Sequence, residues 1–155
     1  LYQPEEGKVL IQGRDAFQIP EHEKRSLYGY VEQTFHRVPG TVKDQITLYD
    51  DSFPMEEVRE AARIAGLDAT IEQLEKGYDT LCTSEIFSQG QWQLLSIARA
   101  AVAKPKLLLL DEITANLDAE TERQVLQALK RASEKRTVIA ISHRTSGEKG
   151  REINI

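Results

Sequence analysis

The sequence predicts an α/β fold: a parallel sheet core with an inserted all-helical stretch. Three observations carry this. Leu107–Leu110 is a run of four leucines followed by Asp111 and Glu112, the pattern of a sheet-centre strand buried on both faces. Thr137–Ile141 is a second apolar run, with Ser142-His143-Arg144 just past its end. Between Thr41 and Gly77 the apolar spacing turns helical. In open α/β sheets ligands bind beyond the carboxyl ends of the strands, so polar residues at these strand ends are the first candidates for a site.

Composition narrows the class. Of the 155 residues, 40% are hydrophobic and 29% charged, ordinary for a globular chain and unlike a disordered one. The net charge is −5, with 20 basic and 25 acidic residues well mixed. No basic stripe marks a nucleic-acid partner. Cys82 is alone, which excludes an internal disulfide and points to a reducing compartment. No apolar run approaches the roughly 18 residues of a membrane span, and no signal-peptide pattern opens the chain. Leu1-Tyr2 in place of an initial Met reads as the interior of a longer protein.

In chain order, Pro4-Glu5-Glu6-Gly7 predicts a turn and Lys8–Gln12 a short strand, with a second turn at Gly13-Arg14-Asp15. The charged run Glu21–Arg25 reads as a solvated surface loop. Ser26–Glu32 is aromatic and β-branched, a strand that ends at Gln33. Thr41–Ile46 predicts a short helix. Ser52 and Pro54 open a longer one, with Val58, Ala61, Ala62 and Ala65 inward and Gly66 at its end. A further short helix is expected over Asp68–Glu75, closed by Gly77. Ser88-Gln89-Gly90-Gln91 fits a capping box opening a helix with Leu94, Ile97, Ala98 and Ala101 buried. Asp118 caps a helix to about Ala132, with Val125, Leu126 and Leu129 inward. Thr145–Ile155 is polar and carries little signal.

Each of these polar residues has an ordinary structural explanation when taken singly. A helix N-terminus at Ser88 presents free N–H groups to an anion, yet most capped helices bind nothing. Asp111 could support Mg²⁺ on a phosphate and Glu112 could polarise water, yet two acids after a core strand are common. His143, like His22 and His36, is by itself an ordinary surface histidine, and Gln33 an ordinary exposed amide.

Their order changes the reading. Tyr30–Gln33 with Gly40–Leu48, Phe87–Gln91, Leu107–Glu112, Ala115–Asp118 and Ile141–Arg144 together resemble the ATP-binding domain of ABC transporters, the exporter type most nearly, over residues 1–144. The resemblance implies a P-loop NTPase-like parallel core with a helical subdomain. It divides the chain into a partial core with the Q-loop (1–40), the helical subdomain (41–86), the part carrying the signature helix, Walker B, D-loop and switch histidine (87–144), and a tail (145–155). It implies ATP as substrate with Mg²⁺. Asp111 and Gln33 would serve the metal, Glu112 would be the catalytic base, and His143 would contact the γ-phosphate. Ser88, Gly90 and Gln91 would contact nucleotide held on an opposing subunit, and Asp118 would lie along that dimer interface. The signature departs from the usual Leu-Ser-Gly-Gly-Gln: Phe87 replaces Leu and Gln89 replaces the first Gly. Trp92 stands where the family often has Arg, and the resemblance assigns it no role.

No G-x-x-x-x-G-K-[ST] phosphate loop occurs in the chain. By resemblance that loop lies upstream of Leu1–Gly7, so the chain is expected to start just after the P-loop helix and to carry an incomplete core. The leading expectation is a partial nucleotide-binding domain, at the cytoplasmic face of a membrane, that joins a second such domain and a transmembrane domain to drive export. A non-catalytic interaction fragment of such a transporter is the alternative. A DNA-maintenance ATPase is a weaker third.

Overall fold

A computed structural model of the chain describes residues 6–32, 34–111, 113 and 117–141, with Glu21 and His22 described in backbone only. Gln33, Glu112, His143 and the expected tail therefore lie outside the described residues, as do Pro4 and Glu5 of the expected first turn.

The chain enters through a small antiparallel hairpin, β1 (Leu10–Ile11) and β2 (Arg14–Asp15). The turn falls at Gln12-Gly13, one residue earlier than expected. Both have positive φ, 52° and 78°, the backbone of a tight two-residue hairpin, so Arg14 and Asp15 pair as a strand.

The charged run after Pro20 is helix α1 (Glu21–Leu27), not a loop. Pro20 sits just before its first turn with φ −57°, and Lys24 and Arg25 occupy its last turn, where positive charge suits the helix dipole. Arg25 also reaches away from the helix. Its guanidinium donates to the carbonyls of Thr47 and Ile46 and lies over the Phe53 ring.

Strand β3 (Tyr28–Val31) follows directly, shorter than the sequence suggests because Ser26 and Leu27 belong to α1. A run of helices then intervenes: α2 (Val42–Thr47), α3 (Met55–Ala65), α4 (Asp68–Glu72) and a 3-10 turn at Gly77–Asp79. Thr41 caps α2 in a capping box with Asp44. Helix α3 buries Val58, Ala61, Ala62 and Ala65, the predicted stripe, and ends at Gly66 with φ 80°. Gln45 of α2 is fully buried and pairs both ways with the Val38 backbone, fastening the loop after β3.

Helix α5 (Gln89–Ala101) is followed by β4 (Leu107–Asp111), α6 (Ala119–Ser133) and β5 (Thr137–Ile141). Strands β3, β4 and β5 form one parallel sheet in that order. Helix α5 buries Gln93 through Ala98, Ala100 and Ala101, nearly its whole circumference, because sheet, α3 and α6 all pack on it. Helix α6 buries Val125, Ala128, Leu129 and Ala132, with Leu126 partly buried beside them.

The sheet is covered on one face only among the described residues. Leu108 and Leu110 are buried, while Leu107 and Leu109 on the other face are half-buried. Every residue of β5 is exposed, Ile139 to 54% and Ile141 to 60%. The expectation of a strand buried on both faces is thus corrected. The leucine run reflects one packed face plus a second apolar face that no described helix covers.

Gly29 sits at a close approach in the core. A Cβ there would lie 2.5 Å from the Ala100 carbonyl oxygen and 2.9 Å from Leu108 Cδ2. Both neighbours sit in regular structure, and the Ala100 oxygen cannot swing aside as a side-chain tip could. Gly29→Ala is expected to destabilise the chain by about 1–3 kcal/mol through overpacking. Chemical denaturation, with the slope checked for constancy, measures it.

Candidate functional site

Parallel register brings the carboxyl ends of the three strands to one edge of the sheet. Val31 pairs opposite Leu110, and Asp111 opposite Ile141. Val31, Asp111 and Ile141 are therefore the last residues of adjoining strands; Glu112 and Ser142-His143 are next in sequence after two of them, and Gln33 follows Val31 by two residues.

Asp111 ends β4 on the open face, half-buried. Tyr30 lies on the same face of β3, opposite Leu109, and its hydroxyl donates to Asp111 Oδ2 across 3.0 Å. This is a diagonal cross-strand pair, within reach of a long aromatic side chain. Burial first, then the bond to Asp111 and its negative charge, raise the Tyr30 phenol above its ordinary pKa, so the hydroxyl stays a donor at neutral pH. Sequence reasoning missed Tyr30. Its signal was available: once β3 and β4 are parallel neighbours, alternation puts Tyr30 on the face of Asp111.

At the start of α5, the Ser88 hydroxyl accepts from the Gln91 amide at 3.3 Å, and the Gln91 side-chain oxygen accepts from the Ser88 amide at 2.9 Å. The predicted capping box is present. Ser88 and Gln89 are exposed, and Gly90 and Gln91 half-buried. The box uses Ser88 Oγ as acceptor and leaves its proton to donate outward. Gly90 has a use inside the chain: a Cβ there would meet Thr121 Cγ2 at 2.3 Å. Its missing side chain lets α5 and α6 begin side by side.

Asp118 caps α6, accepting from the amides of Glu120 at 3.1 Å and Thr121 at 3.0 Å and from the Thr121 hydroxyl at 2.6 Å. The Thr121 bonds lead the causes that hold its carboxyl below the usual aspartate range. Thr121 thus touches both helix starts, as Asp118's partner and as Gly90's neighbour.

Trp92 was also missed as a structural element. Phe87 precedes the cap and Trp92 is the fourth helical residue, the positions of a hydrophobic staple. Their rings meet edge to face at 5.1 Å, and Phe35 stacks on Trp92 at 5.3 Å. An apolar residue on each side of the capping box was the sequence signal.

Among the described residues no three His, Cys, Asp or Glu side chains converge on a protein-only metal site, and no helix is long and apolar enough to cross a membrane. Magnesium keeps several waters and binds through one or two carboxylates with phosphate oxygens. Asp111, at a strand end on the edge where open α/β sheets bind ligands, is a carboxylate of the kind such a cation uses.

Parallel strands with crossover helices, polar strand ends on one edge and a capped helix start make an α/β core of the open parallel-sheet class. Comparison with known proteins is specific. The family model described as ABC transporter matches residues 1–115. An uncharacterized ABC transporter ATP-binding protein of Bacillus subtilis, YfiC, is 42% identical over 146 residues, covering 93% of this chain and 24% of its own length. The exotoxin translocation ATP-binding protein PaxB of Pasteurella aerogenes is 39% identical over 148 residues, 94% of this chain and 21% of its own. A solved bacterial Atm1-family ABC exporter with ATP bound superimposes with a TM-score of 0.75 at 34% identity, over 92% of this chain and 25% of that one. The chain belongs to the ABC transporter family, of the exporter type, and corresponds to part of its ATP-binding domain. It spans about a quarter of the length of these relatives.

The Asp118 cap sets a pH dependence. Its lowered folded-state pKa means the cap's contribution is complete above the ordinary carboxylate value, about pH 4, and is lost as pH falls through the folded value. Asp118→Asn keeps a capping side chain without the titrating charge. Its melting temperature is expected to fall less steeply than wild type on acidification from pH 5 to about 3, as thermal melts across that range would read.

Proposed function

We propose that this chain is part of the nucleotide-binding domain of an ABC exporter, which hydrolyses MgATP at a dimer interface and couples that to transport across a membrane. The observation that carries the reading is the shared strand-end edge, with Asp111 on it and Gln33, Glu112 and His143 next in sequence at its three strands. Asp111, with Gln33, would hold Mg²⁺, which supplies neutralisation of charge on the β- and γ-phosphates. Glu112 orients the attacking water and takes its proton. His143 donates to a γ-phosphate oxygen, and the transferred phosphoryl group leaves as phosphate with ADP as the other product. Little covalent chemistry is asked of the protein, so positioning and charge do most of the catalysis.

Ser88, Gly90 and Gln91 would meet nucleotide held by a second copy or a related domain, with Asp118 along the same interface. Helix dipole and free N–H groups at the start of α5 favour an anion there. Residues 41–86 are the subdomain that meets the transmembrane partner, and the assembly works at the cytoplasmic membrane face. Residues 1–40 and 87–144 are the two parts of the nucleotide core.

A second reading is a non-catalytic interaction piece. The absence of a G-x-x-x-x-G-K-[ST] loop from this sequence favours it for the chain taken alone. One experiment tests the catalytic reading. In the full transporter chain, Glu112→Gln is expected to keep MgATP binding and lower turnover at least about 100-fold. Turnover unchanged by Glu112→Gln, or no MgATP binding by the wild type, would sink the catalytic reading.

Tyr30→Phe probes the metal side. It removes one hydrogen bond to a carboxylate, worth about 1.5 kcal/mol, and leaves the ring in place. Binding of Mn²⁺ with nucleotide, followed by electron paramagnetic resonance, is expected to weaken roughly tenfold because Asp111 loses the donor that orients it. Unchanged Mn²⁺ binding would show that Tyr30 does not orient the carboxylate.

A further inference from the structure

Helix α5 holds the segment after β3 at three places. Gln93 Nε2 donates to the Glu32 carbonyl at 3.0 Å. Arg99 donates through Nη1 to the His36 carbonyl at 2.8 Å, and its guanidinium lies 4.1 Å from the Phe35 ring centroid. Trp92 stacks on Phe35 with an interplanar angle of 25°. These contacts fall on both sides of Gln33 in sequence. Of the three α5 residues, Trp92 also contacts Phe87, the residue before Ser88.

We propose that Trp92 is a positioning residue: it locks the segment flanking Gln33 to the first turn of α5, so that a displacement at one reaches the other. The staple fixes the angle at which the chain enters α5. Phe35 rests on that staple. Moving Phe35 therefore shifts the load on Trp92, and Trp92 passes it to Phe87 and the Ser88–Gln91 cap. Gln93 and Arg99 keep the same segment close through its main chain, which leaves the aromatic stack as the side-chain path to the helix start. Arg37 stands over the outer side of Trp92 at 5.5 Å from the ring centroid, and both line a cavity of about 330 Å³. The indole is half-buried there. It is thus bounded by rings and a cation, with open volume at its edge. Aromatic pairs hold a preferred geometry, so the stack resists sliding in a way an aliphatic contact would not.

The inference rests on the proposed function, since it links the nucleotide-sensing strand end to the surface offered to a second subunit. The test uses the full transporter chain with Trp92→Ala, Trp92→Phe and Phe35→Leu, each first confirmed to melt cooperatively. Trp92→Ala is expected to leave KM for MgATP within about twofold and to lower kcat at least about tenfold. Amide hydrogen exchange, read without nucleotide, is expected to rise together at Phe35–His36 and at Gln89–Gln91. Trp92→Phe, which keeps a ring that can stack, is expected to recover kcat to within about threefold of wild type. Phe35→Leu removes the stack from the other side and is expected to behave like Trp92→Ala, so the inference stays testable if Trp92→Ala does not fold. Wild-type kcat in both Trp92→Ala and Phe35→Leu, or faster exchange confined to one of the two segments, would overturn it. A wild-type protein without MgATP turnover would overturn the proposed function instead, and the paired exchange measurement would still decide the lock.

Discussion

Parallel pairing of β3, β4 and β5 is the constraint on which the rest of the structure depends. Two parallel strands cannot be joined by a tight turn, so each connection must cross back over the sheet. Between β4 and β5 that crossing is α6. Between β3 and β4 it is longer and holds α2, α3, α4 and α5. The crossovers cover one face and create the core, and the same directionality sends every strand end to a single edge. Fold and candidate site are two results of one pairing rule.

Within that arrangement α5 is the common wall. Its C-terminal half lies against Gly29, its flanks meet α3 and α6, and its N-terminal turn is only partly covered. Arg99 shows how the wall is fastened. Burial above all, with help from the nearby positive charge of Arg25, pushes its pKa down to about 10, so it remains charged at neutral pH. That charge goes to main-chain oxygens of Gln45 and His36. A rigid planar donor set is well suited to holding carbonyls of two segments at once. The loops at the strand edge are therefore organised by the helix behind them.

Much of this was legible in the sequence where one physical signal dominated. The alanine and valine stripe of α3, the capping box at Ser88 and the cap at Asp118 each depend on residues within one turn of each other, and each was readable. What depends on neighbours distant in sequence was not. Four leucines cannot tell a strand with one covered face from a strand with two. Glu21–Arg25 looks like loop because its charges are visible and the reach of Arg25 to α2 is not. Tyr30 gains meaning from a residue 81 positions away, and Trp92 from Phe35 as well as from Phe87. Gln33, Glu112 and His143 lie outside the described residues, and the roles proposed for them rest on the sequence pattern and on the register of the neighbouring strands.

The contact between Gly90 and Thr121 has a consequence for how genetic variation in this segment is interpreted. A glycine in a segment proposed to meet nucleotide invites the view that any side chain there obstructs the ligand. Here the first obstruction would be internal, because the added carbon would strike the neighbouring helix before it met anything outside. Loss of function from a Gly90 substitution is then ambiguous between a protein that cannot grip its nucleotide and one whose two helices no longer start together. A second-site change that shortens Thr121 separates the cases: it would suppress the second kind of defect and leave the first untouched.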